Sequence, residues 1–80
     1  MLKKGTVVIA KAGKDKGGVF AVIEILDERY VLIADGRHRT LNSPKKKNIS
    51  HLRRTNVIID PVTTDRQLRT MLRDFHQEVK

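Results

Sequence analysis

Residues 10–20 read AKAGKDKGGVF, with Lys14 and Lys16 on either side of Asp15 and glycines at 13, 17 and 18. A connection between strands uses glycine or aspartate, but it has no need of two ammonium groups. Lysines on a glycine-containing loop suit anion binding, because a backbone without side chains lets N–H groups come close to phosphate oxygens. The same residue types recur further along. Arg37 and Arg39 follow Asp35-Gly36, Lys45, Lys46 and Lys47 follow Pro44, and Arg53 and Arg54 close ISHLRR. Arginine offers phosphate a two-pronged fork and lysine a point charge. Any one of these cations alone reads as a solvated surface residue. Their collection on neighbouring loops points to a polyanion. Asp15 is expected to shape its turn by accepting a nearby N–H, since a carboxylate repels phosphate.

Other chemistry is hard to build from this chain. His38, His51 and His76 fall in three different elements, without Asp, Glu, His or Cys companions at ligand spacing, so no metal site is expected. No nucleophile-plus-base pattern is visible. GKDKGG lacks the Gly-Lys-Ser/Thr ending of a nucleotide-binding P-loop and precedes a strand where that loop requires a helix. Neither an enzyme nor a cofactor is expected.

Composition agrees with a binding role. Seventeen Lys plus Arg against nine Asp plus Glu give a formal charge of +8, and the pI is near 10.3. A pI above about 9 makes nucleic acid a serious partner, although net charge also serves solubility. Eighty residues make one small domain, which buries only about 60% of its unfolded surface. There is no cysteine to staple it, which fits a reducing setting. No apolar run approaches the roughly 20 residues of a membrane span, and the N-terminal run is too short and interrupted for a signal peptide. The expectation is a cytoplasmic protein with no membrane partner.

These cations need a scaffold. TVVIAKA (6–12), VFAVIEIL (19–26) and YVLIA (30–34) are short and β-branched, and read as strands. Asp35-Gly36 is a strong hairpin signal, so a type I′ turn should send RHRTL (37–41) back as a fourth strand, with Arg37 and Arg39 on one face. NSPKKKN then reads as a loop, ISHLRR as a short fifth strand, and NVIID as an extended stretch ended by Pro61. Five short strands with tight connections predict a mainly β protein, a small five-stranded barrel or strongly bent sheet over residues 1–60.

Strands two and three are apolar on both faces, so something must cover the outer one. Residues 61–80 supply a cover. TDRQLRTMLRDFHQEV predicts a C-terminal amphipathic α-helix in which Leu68, Met71, Leu72, Phe75 and Val79 share one face. Thr64 and Gln67 match a capping box, and Asp65 suits the first turn. Arg66, Arg69, Arg73 and Lys80 fall on one flank of this helix, Asp74 and Glu78 on the other. The stripe is expected to dock on the protein's own sheet. Of the three aromatic residues, Phe20 and Phe75 should lie in the core, which leaves little for stacking on bases. Recognition of folded RNA by backbone and shape fits better than reading of a single strand.

KGTVVIAKAGKDKGGVFAVIEIL resembles the KOW motif, in which a glycine, an apolar strand, a Gly- and Lys-containing loop and a second strand form part of an SH3-like barrel. Gly17 stands where that motif keeps its characteristic glycine. Val31, Leu32, Asp35, Gly36, His51, Leu52 and Thr55 extend the likeness, over about residues 3–60, to the eukaryotic-type large-subunit ribosomal protein numbered fourteen. The chain resembles a stand-alone bacterial KOW protein. The resemblance implies an SH3-like barrel and RNA binding, with ribosomal RNA foremost and ribosomal proteins as further partners. The family's first-loop site maps to Lys14, Lys16 and Gly17. Two alternatives stay open: a transcription-linked KOW factor, and an SH3-like protein-interaction module with an exposed apolar groove.

Overall fold

A computed structural model describes residues 2–78. Five strands, β1 (Thr6–Ala10), β2 (Val19–Ile25), β3 (Tyr30–Ala34), β4 (Lys45–Asn48) and β5 (Leu52–Ile58), form one antiparallel sheet in the order β4-β3-β2-β1-β5. Helix α1 (Asp65–Glu78) follows. β4 and β5 are the edges, joined by a 3-10 turn at Ile49–His51. Among the described residues the sheet is open, without a ladder that closes it into the expected barrel.

The period-two pattern of the apolar strands divides their side chains between two cores. Val8 and Ala10 of β1, Phe20 and Val22 of β2, and Val31 and Ile33 of β3 pack on one face with Leu2 and Leu52. Val7, Ala21 and Ala34, on the alternate positions, pack beneath Leu68, Leu72 and Phe75 of the helix. The helix stripe therefore docks on the protein's own sheet, as expected. Met71 is half-buried, and Val79 and Lys80 lie outside the described residues. The registers slip once in each of two ladders, between Val22 and Glu24 of β2 and between Thr6 and Val8 of β1. Thr55 straddles the second slip by donating its hydroxyl to the Val7 carbonyl at 2.7 Å.

The helix start departs from the expected capping box in one detail. Thr64 Oγ1 accepts the Gln67 N–H at 3.1 Å, but Gln67 Oε1 reaches one residue further back and accepts the Thr63 N–H at 2.9 Å. The Asp65 carboxylate accepts the Leu41 N–H at 2.8 Å and so ties the helix to the loop before β4.

The fourth strand is not RHRTL. Residues 36–39 form a bend and 41–42 a turn, and the strand that pairs with β3 is Lys45–Asn48, which the sequence suggested was loop. The Asp35-Gly36 turn is not type I′ either. Among the described residues only glycines have positive φ, so Asp35 does not adopt the left-handed conformation that this turn demands at both centres. Instead the Asp35 carboxylate accepts the N–H groups of Arg37 and Arg39, both at 2.9 Å. The hairpin opens into a loop of residues 35–44. Gly36 has φ +79° and lies against the helix start, where a Cβ would collide with the Asp65 carbonyl. The fifth strand is also longer than expected, because LRR and TNVI run on as one element after the 3-10 turn.

Candidate nucleic-acid interface

The first loop, residues 11–18, folds on itself before it meets anything else. Lys16, Gly17 and Gly18 donate their N–H groups to the carbonyls of Gly13, Ala10 and Asp15 at 3.2, 2.7 and 2.8 Å. Gly17, at φ +88°, supplies the backbone sign that this turn requires. Of the glycines at 13, 17 and 18 expected to bring N–H groups near phosphate, Gly17 and Gly18 thus have theirs engaged by the carbonyls of Ala10 and Asp15. Lys14 and Lys16 project from the loop, both exposed.

Asp15 does not turn back on its own loop. Its Oδ2 lies 2.9 Å from Lys45 Nζ on β4 and 3.8 Å from Arg39 Nη2 in the loop after β3. Lys47, next but one on β4 and therefore on the same face as Lys45, sends its Nζ to the Ala12 carbonyl at 3.3 Å. Lys47 is 7% exposed. A buried ammonium is tolerated only with compensation, and the carbonyl and the nearby Asp15 charge provide it. The Lys45 hydrogen bond holds the Asp15 carboxyl below the ordinary aspartate range. Partial burial opposes this, and the charges of Lys45, Arg39 and Lys47 add to it.

Three segments distant in sequence thus converge on one carboxylate: the 11–18 loop, the 35–39 turn and β4. Of the ten residues singled out from the sequence, Lys14, Lys16, Gly17, Arg39, Lys45 and Lys47 belong to this convergence. Arg37 is exposed on the same turn as Arg39, but the two do not share the face of a strand. Lys46 points to the other face of β4, where its Nζ sits 4.5 Å from the centre of the Tyr30 ring. Such a contact between an exposed cation and a half-buried ring contributes on the order of 0.5–1 kcal/mol. Arg53 and Arg54 are exposed within β5, and strand alternation sends them to opposite faces. Neither takes part in the ion pairs at Asp15.

Asp15 as the hub was not legible in the sequence. Its partners lie 24 and 30 residues away, and only the pairing of β4 with β3 brings them near. The aromatic inventory is as expected: Phe20 and Phe75 are buried, and Lys46 sits over the half-buried ring of Tyr30.

An apolar cleft of about 610 Å³ opens where the chain crosses from β5 to the helix, with Ile23, Leu41, Ile59 and Val62 in its wall and Lys4, Glu24 and Asp60 at its rim. Among the described residues no group of three or more His, Cys, Asp or Glu is arranged to hold a metal ion, and no helix is long and apolar enough to cross a membrane.

No protein-family model matches the chain. One curated protein, the Bacillus subtilis (strain 168) "Putative ribosome-binding protein YbzG", is 52% identical over 40 residues, which is 50% of this chain and 54% of that protein. The chain thus spans about half the length of the curated relative it matches.

Proposed function

We propose that this chain is a non-catalytic, ribosome-associated RNA-binding protein that grips folded RNA by its phosphates. One observation carries the reading: the 11–18 loop, the 35–39 turn and β4 meet at Asp15, and Lys14, Lys16 and Arg37 are exposed on the two loops that converge there. The similarity to a protein named for ribosome binding supports the partner, with ribosomal RNA as the contacted component and a cytoplasmic setting. The strand order and the two-sided core are compatible with the SH3-like, KOW-type barrel that the sequence resembles. The absence of a free aromatic platform favours paired or folded RNA over an extended single strand. Cosedimentation of the chain with ribosomal subunits across a salt series tests this reading. Binding that weakens steeply with salt is expected, and no binding at low salt would refute it.

The apolar cleft favours a second reading, that of a protein-interaction module. Glu24 in its lining is already paired with Lys4 at 3.8 Å, which leaves Asp60 as the anion that suits an apolar peptide segment carrying a cationic residue. Amide shifts of Ile23, Leu41 and Val62 on addition of a leucine–lysine peptide, without shifts at Lys14 and Lys16, would support it. A leucine–glutamate peptide that bound equally well would exclude it.

A further inference from the structure

We propose that Asp15 is an internal counter-ion seated where a phosphate would bind, so that RNA recruits Lys45 and Arg39 only by displacing its carboxylate. The inference rests on the RNA-binding reading above and concerns how that same surface is regulated.

The geometry of the seat carries it. The Asp15 side chain is 14% exposed, while those of Lys45 and Arg39 are 29% and 37% exposed, so the two cations reach solvent more than the anion between them. Asp15 satisfies them unequally. Its bond to Lys45, at 2.9 Å, is a full charge-assisted hydrogen bond. Its 3.8 Å approach to Arg39 Nη2 is too long to be one. Arg39 Nε is buried and has no hydrogen-bond partner. A guanidinium offers a planar fork that a carboxylate or phosphate can fill with two oxygens. Here a single carboxylate oxygen, tied to Lys45, leaves the fork underused. A phosphate, with more oxygens spread over a larger tetrahedron, can bridge the ammonium and the guanidinium together.

At rest, therefore, Lys45 and Arg39 are partly neutralised, and Lys14, Lys16 and Arg37 are the cations that a polyanion meets first. The second set becomes available when Asp15 is pushed aside, which costs the Lys45 bond. A weakly held polyanion will not repay that cost, whereas closely spaced phosphates held by several contacts will. Repulsion built into a binding surface raises discrimination in this way.

The test compares the full chain, Asp15→Asn, Lys45→Ala and the double variant, binding a fully paired RNA hairpin over a salt series. Each phosphate engaged adds about 0.9 or less to the salt slope. Asp15→Asn is expected to bind more tightly, with a slope steeper by up to about 0.9. Lys45→Ala should cost the parent chain less affinity than it costs Asp15→Asn, because the parent must give up the Asp15–Lys45 bond to engage the phosphate. Weaker binding by a folded Asp15→Asn, or an equal effect of Lys45→Ala in both backgrounds, overturns the proposal and leaves Asp15 as a structural pin. If Asp15→Asn does not fold, Lys45→Ala alone decides: a loss of affinity as large as that of Lys14→Ala, an exposed cation, contradicts a neutralised Lys45. Titration with inorganic tripolyphosphate, read at the Arg39 Nε–H resonance, separates this inference from the RNA reading. A shift larger in Asp15→Asn than in the parent supports the seat even where the hairpin binds neither chain, in which case it is the RNA reading that falls. An unmoved Arg39 resonance in Asp15→Asn overturns the seat.

Discussion

Asp15 and Lys45 stand 30 residues apart in the chain, and their side chains meet at 2.9 Å. That bond fastens the tip of the loop between β1 and β2 to an edge strand three places along the sheet order. It makes the candidate RNA surface a product of tertiary structure, and it sets what substitutions there should do.

Replacing Lys14 and Lys16 together with alanine should weaken RNA binding and flatten the salt slope by up to about 1.8, with thermal stability unchanged, because both side chains are exposed. The matching change at Lys3 and Lys4, also exposed, removes the same charge at another place. Filter-binding titrations of both variants check this. Equal losses would reduce the loop's role to net charge.

Leu72 lies 5% exposed beneath the helix, against the sheet. Leu72→Ala should cost about 2–5 kcal/mol, the range for emptying a buried leucine site. Urea denaturation measures it. A loss below about 1 kcal/mol would show that the helix stripe serves a partner more than the fold.

Gly36→Ala should destabilise by at least about 1–2 kcal/mol, the cost of a side chain in left-handed backbone. The added methyl group would also strike the Asp65 carbonyl at the helix start. Thermal melting of this variant is the check. An unchanged midpoint would mean that the loop after β3 can leave the helix freely.

Acid should act through Asp15 and Asp27. The Lys45 hydrogen bond lowers the pKa of the first, and the N–H groups of Arg29 and Tyr30 lower that of the second. A carboxyl with a folded-state pKa below its unfolded value contributes stability above the unfolded value, about 3.9, and loses it as pH falls through the lowered one. Stability should therefore hold above about pH 5 and decline below pH 4, and Asp15→Asn should flatten part of that decline. Denaturation midpoints across this range give the answer. Identical profiles for the two chains would remove Asp15 from the account.

The parts legible in the sequence are those in which local pattern and tertiary demand agree. β1, β2 and β3 announce themselves through β-branched residues, and α1 through Leu68, Leu72 and Phe75 at helical spacing. β4 does not, because KKKN has neither apolar alternation nor strand propensity. It is a strand because β3 offers it an unpaired edge, and strand preference follows such context more than composition. The turn departs from its sequence signal for a related reason. Asp35 prefers to bond the N–H groups of Arg37 and Arg39 over adopting positive φ, so the hairpin widens and the fourth strand moves from 37–41 to 45–48. The cations were visible as residues. Their division into a group assembled at Asp15, a Lys46 over the Tyr30 ring, and Arg53 and Arg54 outside the Asp15 contacts was not, because strand alternation and long-range pairing decide it.

The central claim is that this chain holds RNA by its phosphates. The most direct measurement is its affinity for a fully paired RNA hairpin over a range of salt concentrations. If about five phosphates are neutralised, log K should fall with log salt at a slope of roughly −3.5 to −4.5. An affinity that does not change with salt, or no binding at low salt, would contradict the account.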